Sequence, residues 1–292
     1  MRKQFKETVL DLARQDDRVV LILGDVSVYL FKDFKDRYPD RFYNMGICEN
    51  TLISVSAGLS SQGFFPFVHT IAPFITERSY EQIKLDVCYN RFGVNIVSCG
   101  ATFDYAWDGA SHHSYTDLAI LRLLPGMEVI QPGSTRELNI LLRSQYRRGK
   151  PSYIRLSDHP HLINDYSVEF GKGVVLKRAC SNVTVMTAGP ILVNVLEACK
   201  DLNVNLIYFH TIKPIDKEIL TEFSKTKILV VHDALGLYEA VNEVPNLQTA
   251  YHGLLPDDFC CWYGTLNEVR RHVGLDPAGI RNVVVKHIEL SG

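Results

Sequence analysis

The sequence predicts an α/β protein of two three-layer domains, each built on a parallel or mixed sheet. Three observations carry this reading. Short β-branched runs alternate with longer amphipathic stretches along most of the chain. Strands separated by helices build parallel sheets with right-handed crossovers and helices on both faces. And 292 residues, 46% hydrophobic and 22% charged, suffice for two ordinary globular domains.

Taken in order, a helical repeat at Phe5, Val9, Leu12 and Ala13 precedes a buried strand at 19–23. Further strand-like runs stand at 65–68, 94–97, 127–130 and 152–156, and helical patterns at 52–61, 74–88, 117–123 and 136–146. Between 160 and 182 the rhythm lapses into polar, turn-rich sequence (His161, Asn164, Asp165, Gly171-Lys172-Gly173). That lapse divides a first domain, residues 1–165, from a second, residues 166–292. The second alternates strand 183–186, helix 191–202, strand 205–209, helix 217–223 and strand 228–231. Its last helix is expected at 266–273, ended by Gly274.

Composition removes whole classes of function. Lys plus Arg is 31 against 33 Asp plus Glu, so no basic excess marks a nucleic-acid binder. The longest apolar runs, such as Val283-Val284-Val285, fall far short of the ~20 residues of a membrane helix. Met1-Arg2-Lys3-Gln4-Phe5-Lys6-Glu7 has no apolar signal core. Seven cysteines without Cys-x-x-Cys spacing read as reduced thiols of a cytoplasmic protein. Of these, Cys260-Cys261 reads as a pair of packing thiols, and Arg270-Arg271-His272 reads as a solvated helix face.

The chemistry concentrates in Tyr43-Asn44-Met45-Gly46-Ile47-Cys48-Glu49-Asn50, where Gly46 turns the chain and Glu49 falls near the first turn of a helix. On local grounds a capping carboxylate favoured by the helix dipole is the first reading, and a catalytic acid the second. Further blocks follow: Pro66-Phe67-Val68-His69-Thr70 with Phe74, then Arg78-Ser79-Tyr80-Glu81-Gln82-Ile83, then Trp107-Asp108-Gly109-Ala110-Ser111-His112-His113. Leu121-Arg122-Leu123-Leu124-Pro125-Gly126-Met127 and Pro151-Ser152-Tyr153-Ile154-Arg155-Leu156 complete the series. In this order the blocks resemble the pyrimidine-binding domain of the transketolase family. Residues 175–292 resemble that family's C-terminal domain, notably at Thr211-Ile212-Lys213-Pro214-Ile215-Asp216 and Tyr263-Gly264.

The resemblance implies thiamine diphosphate chemistry. Glu49 matches the glutamate that exchanges a proton with N1′ of the pyrimidine ring, so that the cofactor's own amino group can deprotonate its thiazolium carbon. A water-poor pocket suits such a role, because burial disfavours the charged form of a carboxyl group. Phe74 matches the aromatic that stacks on the ring, and Ile71 stands where a second aromatic is common. Asp25, following the first strand, and Tyr80 join the cofactor-side set. Asp108 and His112 match an Asp-Gly-x-x-His substrate loop, the aspartate toward a substrate hydroxyl and the histidine toward the developing charge. Trp107 beside them is expected to narrow the substrate channel; His113 receives no role.

The family's metal motif, Gly-Asp-Gly with an asparagine further on, is not matched. Gly24-Asp25-Val26 lacks the second glycine, and Asn50 belongs to the Glu49 block. The resemblance therefore implies half an enzyme, with no metal ligands of its own. A separate N-terminal subunit carrying that motif would hold the diphosphate and its Mg2+ or Ca2+ through oxygen ligands, in an α2β2 assembly.

Sugar-phosphate transketolases grip the terminal phosphate with three basic residues of this domain. Arg2 matches one of them. The second position holds Gly100, and the third, after Leu156-Ser157, holds Asp158. A carboxylate there opposes a phosphate at ~2–5 kcal/mol in a desolvated site. Arg78, Arg91, Arg155, His159 and His161 are the candidates for a relocated grip, with Arg155 assigned to its strand's buried face. The expected reaction is two-carbon ketol transfer from a ketose to an aldehyde acceptor, a modified or nucleotide-linked sugar fitting the altered grip. One alternative is a decarboxylative carboligase, similar to deoxyxylulose-phosphate synthase or the β chain of a 2-oxoacid dehydrogenase. Another is a non-catalytic partner, suggested by the departure of Val231-His232-Asp233-Ala234-Leu235-Gly236 from the family's acidic, double-glycine signature. Retention of Glu49, Phe74, Asp108 and His112 together opposes that last reading.

Overall fold

The computed structural model describes residues 1–253 and 259–290. Its first half supplies β1 (Val19–Leu23), β2 (Phe42–Asn44), β3 (Phe65–Ile71), β4 (Asn95–Cys99), β5 (Glu128–Ile130) and β6 (Ser152–Arg155), all parallel in one sheet. The second half supplies β7 (Gly173–Lys177), β8 (Val183–Ala188), β9 (Asn205–Phe209), β10 (Thr211–Lys213), β11 (Lys227–His232) and β12 (Gln248–Gly253). Five of these form a second sheet in the order β12-β11-β8-β9-β7, parallel except where β7 runs against β9. The sixth, β10, crosses over and pairs antiparallel with β5, so the first sheet reads β10-β5-β6-β4-β3-β1-β2.

Side-chain parity sorts the first sheet into three layers. Val20, Ile22, Val68, Ile96 and Tyr153 pack on one face with Leu52, Ile53, Ile75 and Ile83. Val19, Leu21, Leu23, Phe67, Val97 and Ile154 pack on the other with Phe5, Val9, Leu138 and Leu142. Helices Glu49–Ser61 and 74–89 thus cover one face, and Arg2–Gln15 and Thr135–Gln145 the opposite one. Strands buried on both faces are apolar throughout rather than alternating, as β1 is.

Four local expectations need correcting. β7 lies inside the stretch read as a linker; its apolar run Val174-Val175-Leu176 is strand-like, but Gly171 and Gly173 just before it read as a turn. β10 serves the first sheet although it follows β9 directly. Leu266–His272 is not the last helix, for Asp276 caps Pro277–Glu289 by accepting the Gly279 N–H at 3.0 Å. Pro277 opens that helix, where a proline is tolerated because the N–H it lacks would have no partner. Finally, Arg270 is buried against Asp233 at 2.9 Å and so leaves the solvated face, on which Arg271 and His272 remain exposed, the His272 ring 3.7 Å from that of Trp262.

A buried polar seam joins the halves. Arg155 pairs with Asp117 at 2.9 Å and donates to Thr102 Oγ1 at 2.9 Å. Thr102 in turn donates to Asp233 Oδ1 at 3.4 Å, and His232 Nε2 lies 2.9 Å from Gln131 Oε1. The His232-Asp233 segment departs from the family signature, yet it builds this seam.

Burial also makes the fold acid-labile. Desolvation pushes the imidazoles of His69, His161 and His210 down to about 4 from 6.5. Between those values the unfolded chain binds more protons than the folded one, so stability rises with pH across the window. Burial pushes Asp104 up to about 6 and also raises Glu128 and Glu137, which acts in the opposite direction, but it lowers His113, His232 and His287 together with the first three imidazoles. Urea unfolding should therefore give a free energy lower by about 2 kcal/mol or more at pH 5 than at pH 7.

Candidate active site

The loops leaving the carboxyl ends of the parallel strands carry the candidate residues, where open α/β sheets place their ligands. Asp25 follows β1, Glu49 follows β2, Phe74 follows β3, Asp108 and His112 follow β4, and Asp158 follows β6. Gly24 lets two of these elements meet: a Cβ there would stand 2.8 Å from Leu52 Cδ1 and 2.9 Å from Thr70 Cβ. Without a side chain at this point, the helix that starts at Glu49 closes onto the end of β1.

Glu49 is the first residue of that helix and is 1% exposed. Its carboxylate turns to Arg78 rather than to the helix's own first N–H groups, and Oε2 accepts from Arg78 Nη1 at 2.6 Å. The same guanidinium lies over the Phe74 ring, with Cζ 4.6 Å from the centroid. Phe74 and Arg78 sit one turn apart on a π-helical segment. Asn50 fastens that segment to the Glu49 helix, its amide donating to the Arg78 carbonyl at 3.1 Å and to Gln82 Oε1 at 2.7 Å.

A row of rings runs outward from this pocket. His112 meets Phe74 edge-on at 5.1 Å, Tyr105 stands 6.3 Å from His112, and Trp107 stands 5.8 Å from Tyr105. Trp107, at the outer end, is 59% exposed, and Asp108 beside it is exposed as well. Tyr263 reaches this loop from the second half, close enough that a Cβ on Gly109 would lie 2.7 Å from its Cε1.

The residue-by-residue expectation of a grip on phosphate meets a different arrangement. Arg2 donates from Nε to Asp158 Oδ1 at 3.2 Å and from Nη2 to Oδ2 at 2.9 Å, a two-bonded fork that cancels both charges. At Gly100, a Cβ would be 2.6 Å from Tyr105 Cε2, so the Tyr105 ring fills the space a larger side chain would use.

The profile of the family described as transketolase, pyrimidine binding domain, matches residues 1–159, more than half of the chain. The chain belongs to the transketolase family. Among its relatives, an apulose-4-phosphate transketolase subunit of Phocaeicola vulgatus is 30% identical over 99% of this chain and 97% of its own. The 6-deoxy-6-sulfo-D-fructose transketolase subunit of a Clostridium species is 30% identical over 79% of this chain and 74% of its own. A solved split-gene transketolase, described as an inactive β4 tetramer, superposes with a TM-score of 0.86 at 29% identity, covering 100% of this chain and 99% of that one. This transketolase chain accordingly corresponds to one subunit of a split transferase, the C-terminal section.

The geometry divides the candidates of this transketolase chain into two groups. It brings Glu49, Phe74 and His112 together, with Ile71 ending β3 and Asp108 on the loop that also holds His112. Asp25 and Tyr80 are engaged elsewhere. Asp25 and Asn44 exchange hydrogen bonds at 3.0 and 3.1 Å, and the Tyr80 hydroxyl donates to the Ile120 carbonyl at 3.2 Å. Asn50 donates through its amide nitrogen to the Arg78 carbonyl and to Gln82. Of the relocated grips, Arg155 is buried on Asp117, and buried His161 has Nε2 3.4 Å from the Tyr208 hydroxyl, so neither can serve. His159 is exposed beside Asp158, and Arg91 precedes β4 at the opposite end of the sheet. Sequence reasoning passed over Arg78 as a neighbour of Glu49, and Tyr105 as the side chain that fills the space at Gly100. The signal for Arg78 was its place four residues after Phe74, which puts both on one helix face. Tyr105 had none, because its role depends on the missing side chain at Gly100.

Proposed function

We propose that this subunit seats the pyrimidine half of thiamine diphosphate between Glu49 and Phe74, and that, joined to a separate diphosphate-binding subunit, it transfers a two-carbon ketol unit from a ketose to an aldehyde acceptor. One observation carries the reading: the gap between a buried carboxylate and an aromatic face already accepts a flat, N–H-bearing group. That group is the Arg78 guanidinium, 2.6 Å from Glu49 Oε2 and 4.6 Å from the Phe74 centroid. The residues present therefore fit an aminopyrimidine.

When bound, the cofactor supplies the electron sink for breaking and making the carbon–carbon bond. The chain's own part is to position and to move protons. Glu49 holds and exchanges a proton at its Oε2, and its burial supports a pocket closed to water. Phe74 orients the ring by stacking, with Ile71 as aliphatic support. His112, held edge-on against Phe74, presents an imidazole beside the reacting carbons, and Asp108 accepts a substrate hydroxyl. Asp25 and Tyr80 act through the backbone they brace. The diphosphate and its Mg2+ or Ca2+ fall to the partner's Gly-Asp-Gly and asparagine, in an α2β2 assembly. The relative described as an inactive β4 tetramer supports the need for that partner.

Substrate class follows from the anion grip. Arg2 is neutralised by Asp158, and the Tyr105 ring fills the space at Gly100, so we read the acceptor as a modified sugar without a phosphate at this point. Trp107 bounds the channel mouth. Relatives named for apulose-4-phosphate and for 6-deoxy-6-sulfo-D-fructose support a modified sugar. We divide the chain at 165/166 and place it in the cytoplasm; the seven free thiols support that compartment. Among the described residues no helix is long and apolar enough to cross a membrane.

The test is reconstitution with the companion subunit, comparing hydroxypyruvate with pyruvate as donor. Ketol transfer from hydroxypyruvate by the pair, and none by the isolated chain, is the expected result. Turnover by the chain alone would overturn the split site, and preference for pyruvate would favour the decarboxylative reading.

A further inference from the structure

Arg78 makes both contacts that the proposed pyrimidine seat offers, one to Glu49 and one to the Phe74 face. The geometry points to Arg78 as a resident placeholder, a guanidinium that occupies the seat of the unassembled subunit and leaves it when the cofactor enters. The inference rests on the assignment of Glu49 and Phe74 made above.

The chemistry of the side chain suits the task. A guanidinium is flat, stacks on aromatic faces and donates in a fixed fork, so it reproduces the shape and N–H donors of an aminopyrimidine. A buried carboxylate left without a cation is strongly destabilising, and Arg78 supplies that cation while the seat is otherwise empty. Its departure is easy, since the Arg78 side chain is 45% exposed against 1% for Glu49, and water takes up the guanidinium as it leaves. The backbone need not move. Asn50 holds the Arg78 carbonyl at 3.1 Å whichever way the side chain points. A seat that is self-occupied nine times in ten lowers apparent cofactor affinity about tenfold, because only the open fraction binds. The lone subunit thus keeps a satisfied Glu49 and a weak hold on cofactor, and assembly supplies the phosphate contacts that overcome the competition.

The experiment titrates the cofactor-free two-subunit complex with thiamine diphosphate in excess Mg2+ by calorimetry, and melts the isolated chain. Arg78→Gln should bind the cofactor about tenfold more tightly, and its isolated chain should melt at a lower temperature as Glu49 loses its partner. Arg78→Lys keeps the charge without the flat fork. It should retain the melting temperature and tighten binding by a smaller factor. Unchanged or weaker cofactor binding in both variants overturns the placeholder. The underlying seat fails separately, if Glu49→Gln binds the cofactor as the wild-type complex does.

Discussion

Glu49→Ala should lower kcat of the assembled enzyme about 10²–10⁴-fold, the range over which a positioned acid–base group acts, while the subunit stays folded. The two halves of this expectation come from the same contact. Glu49 is buried at the start of its helix, and Arg78, its charged partner among the described residues, is 45% exposed. Removing a buried charge whose partner is exposed leaves no uncompensated ion inside, because the guanidinium relaxes outward. The melting temperature should therefore hold or rise. A structural glutamate, one that merely braced the helix against the π-helical segment, would instead cost stability and activity together. A non-catalytic scaffold would show neither loss. Steady-state kinetics of the reconstituted pair, read beside thermal denaturation of the isolated variant, separates the three. The Arg78 placeholder adds a constraint: with Glu49 gone, further substitution of Arg78 should no longer alter cofactor affinity.

The layers of this fold were legible because parity and helical period are local properties. Val19–Leu23 announces a doubly buried strand by composition alone, and the spacing of Phe5, Val9 and Leu12 announces one helix face. Glu49, Phe74, Asp108 and His112 were nominated for a different reason, as blocks in a fixed order, and their roles belong to the proposal. What stayed hidden depends on partners far away along the chain. Arg2 and Asp158 are 156 residues apart, and read singly each gives a false picture: a free phosphate grip in one case, a bare repulsive charge in the other. Arg270 looks solvated beside Arg271 and His272 until Asp233, just past the end of β11, is brought against it. β10, only Thr211-Ile212-Lys213, is too short and too polar to read as a strand, and the crossing of the chain decides that it pairs with β5. Local sequence reports burial tendency; which charge meets which is fixed by topology.

Arg155 shows how far that topology reaches into the site. Arg155→Met should destabilise the subunit by about 3–5 kcal/mol, the range for breaking a buried ion pair from one side. The side chain is fully buried and holds Asp117, itself fully buried, at 2.9 Å. Without it Asp117 keeps the Tyr153 hydroxyl as a donor, at 2.5 Å, but no countercharge. The guanidinium also donates to Thr102 Oγ1 and to the Ser114 carbonyl. These two residues close the loop that carries Asp108 and His112, through paired backbone hydrogen bonds at 3.0 and 2.9 Å. Stability and activity should therefore part company on repair. Replacing both ions, as Arg155→Met with Asp117→Leu, removes the stranded charge and should recover at least half of the lost unfolding free energy in urea. It returns no donor to Thr102 or Ser114, so kcat/KM should stay depressed. Full recovery of kcat/KM in the double variant would mean that the loop base holds without Arg155, and that the residue serves packing between the two sheets alone.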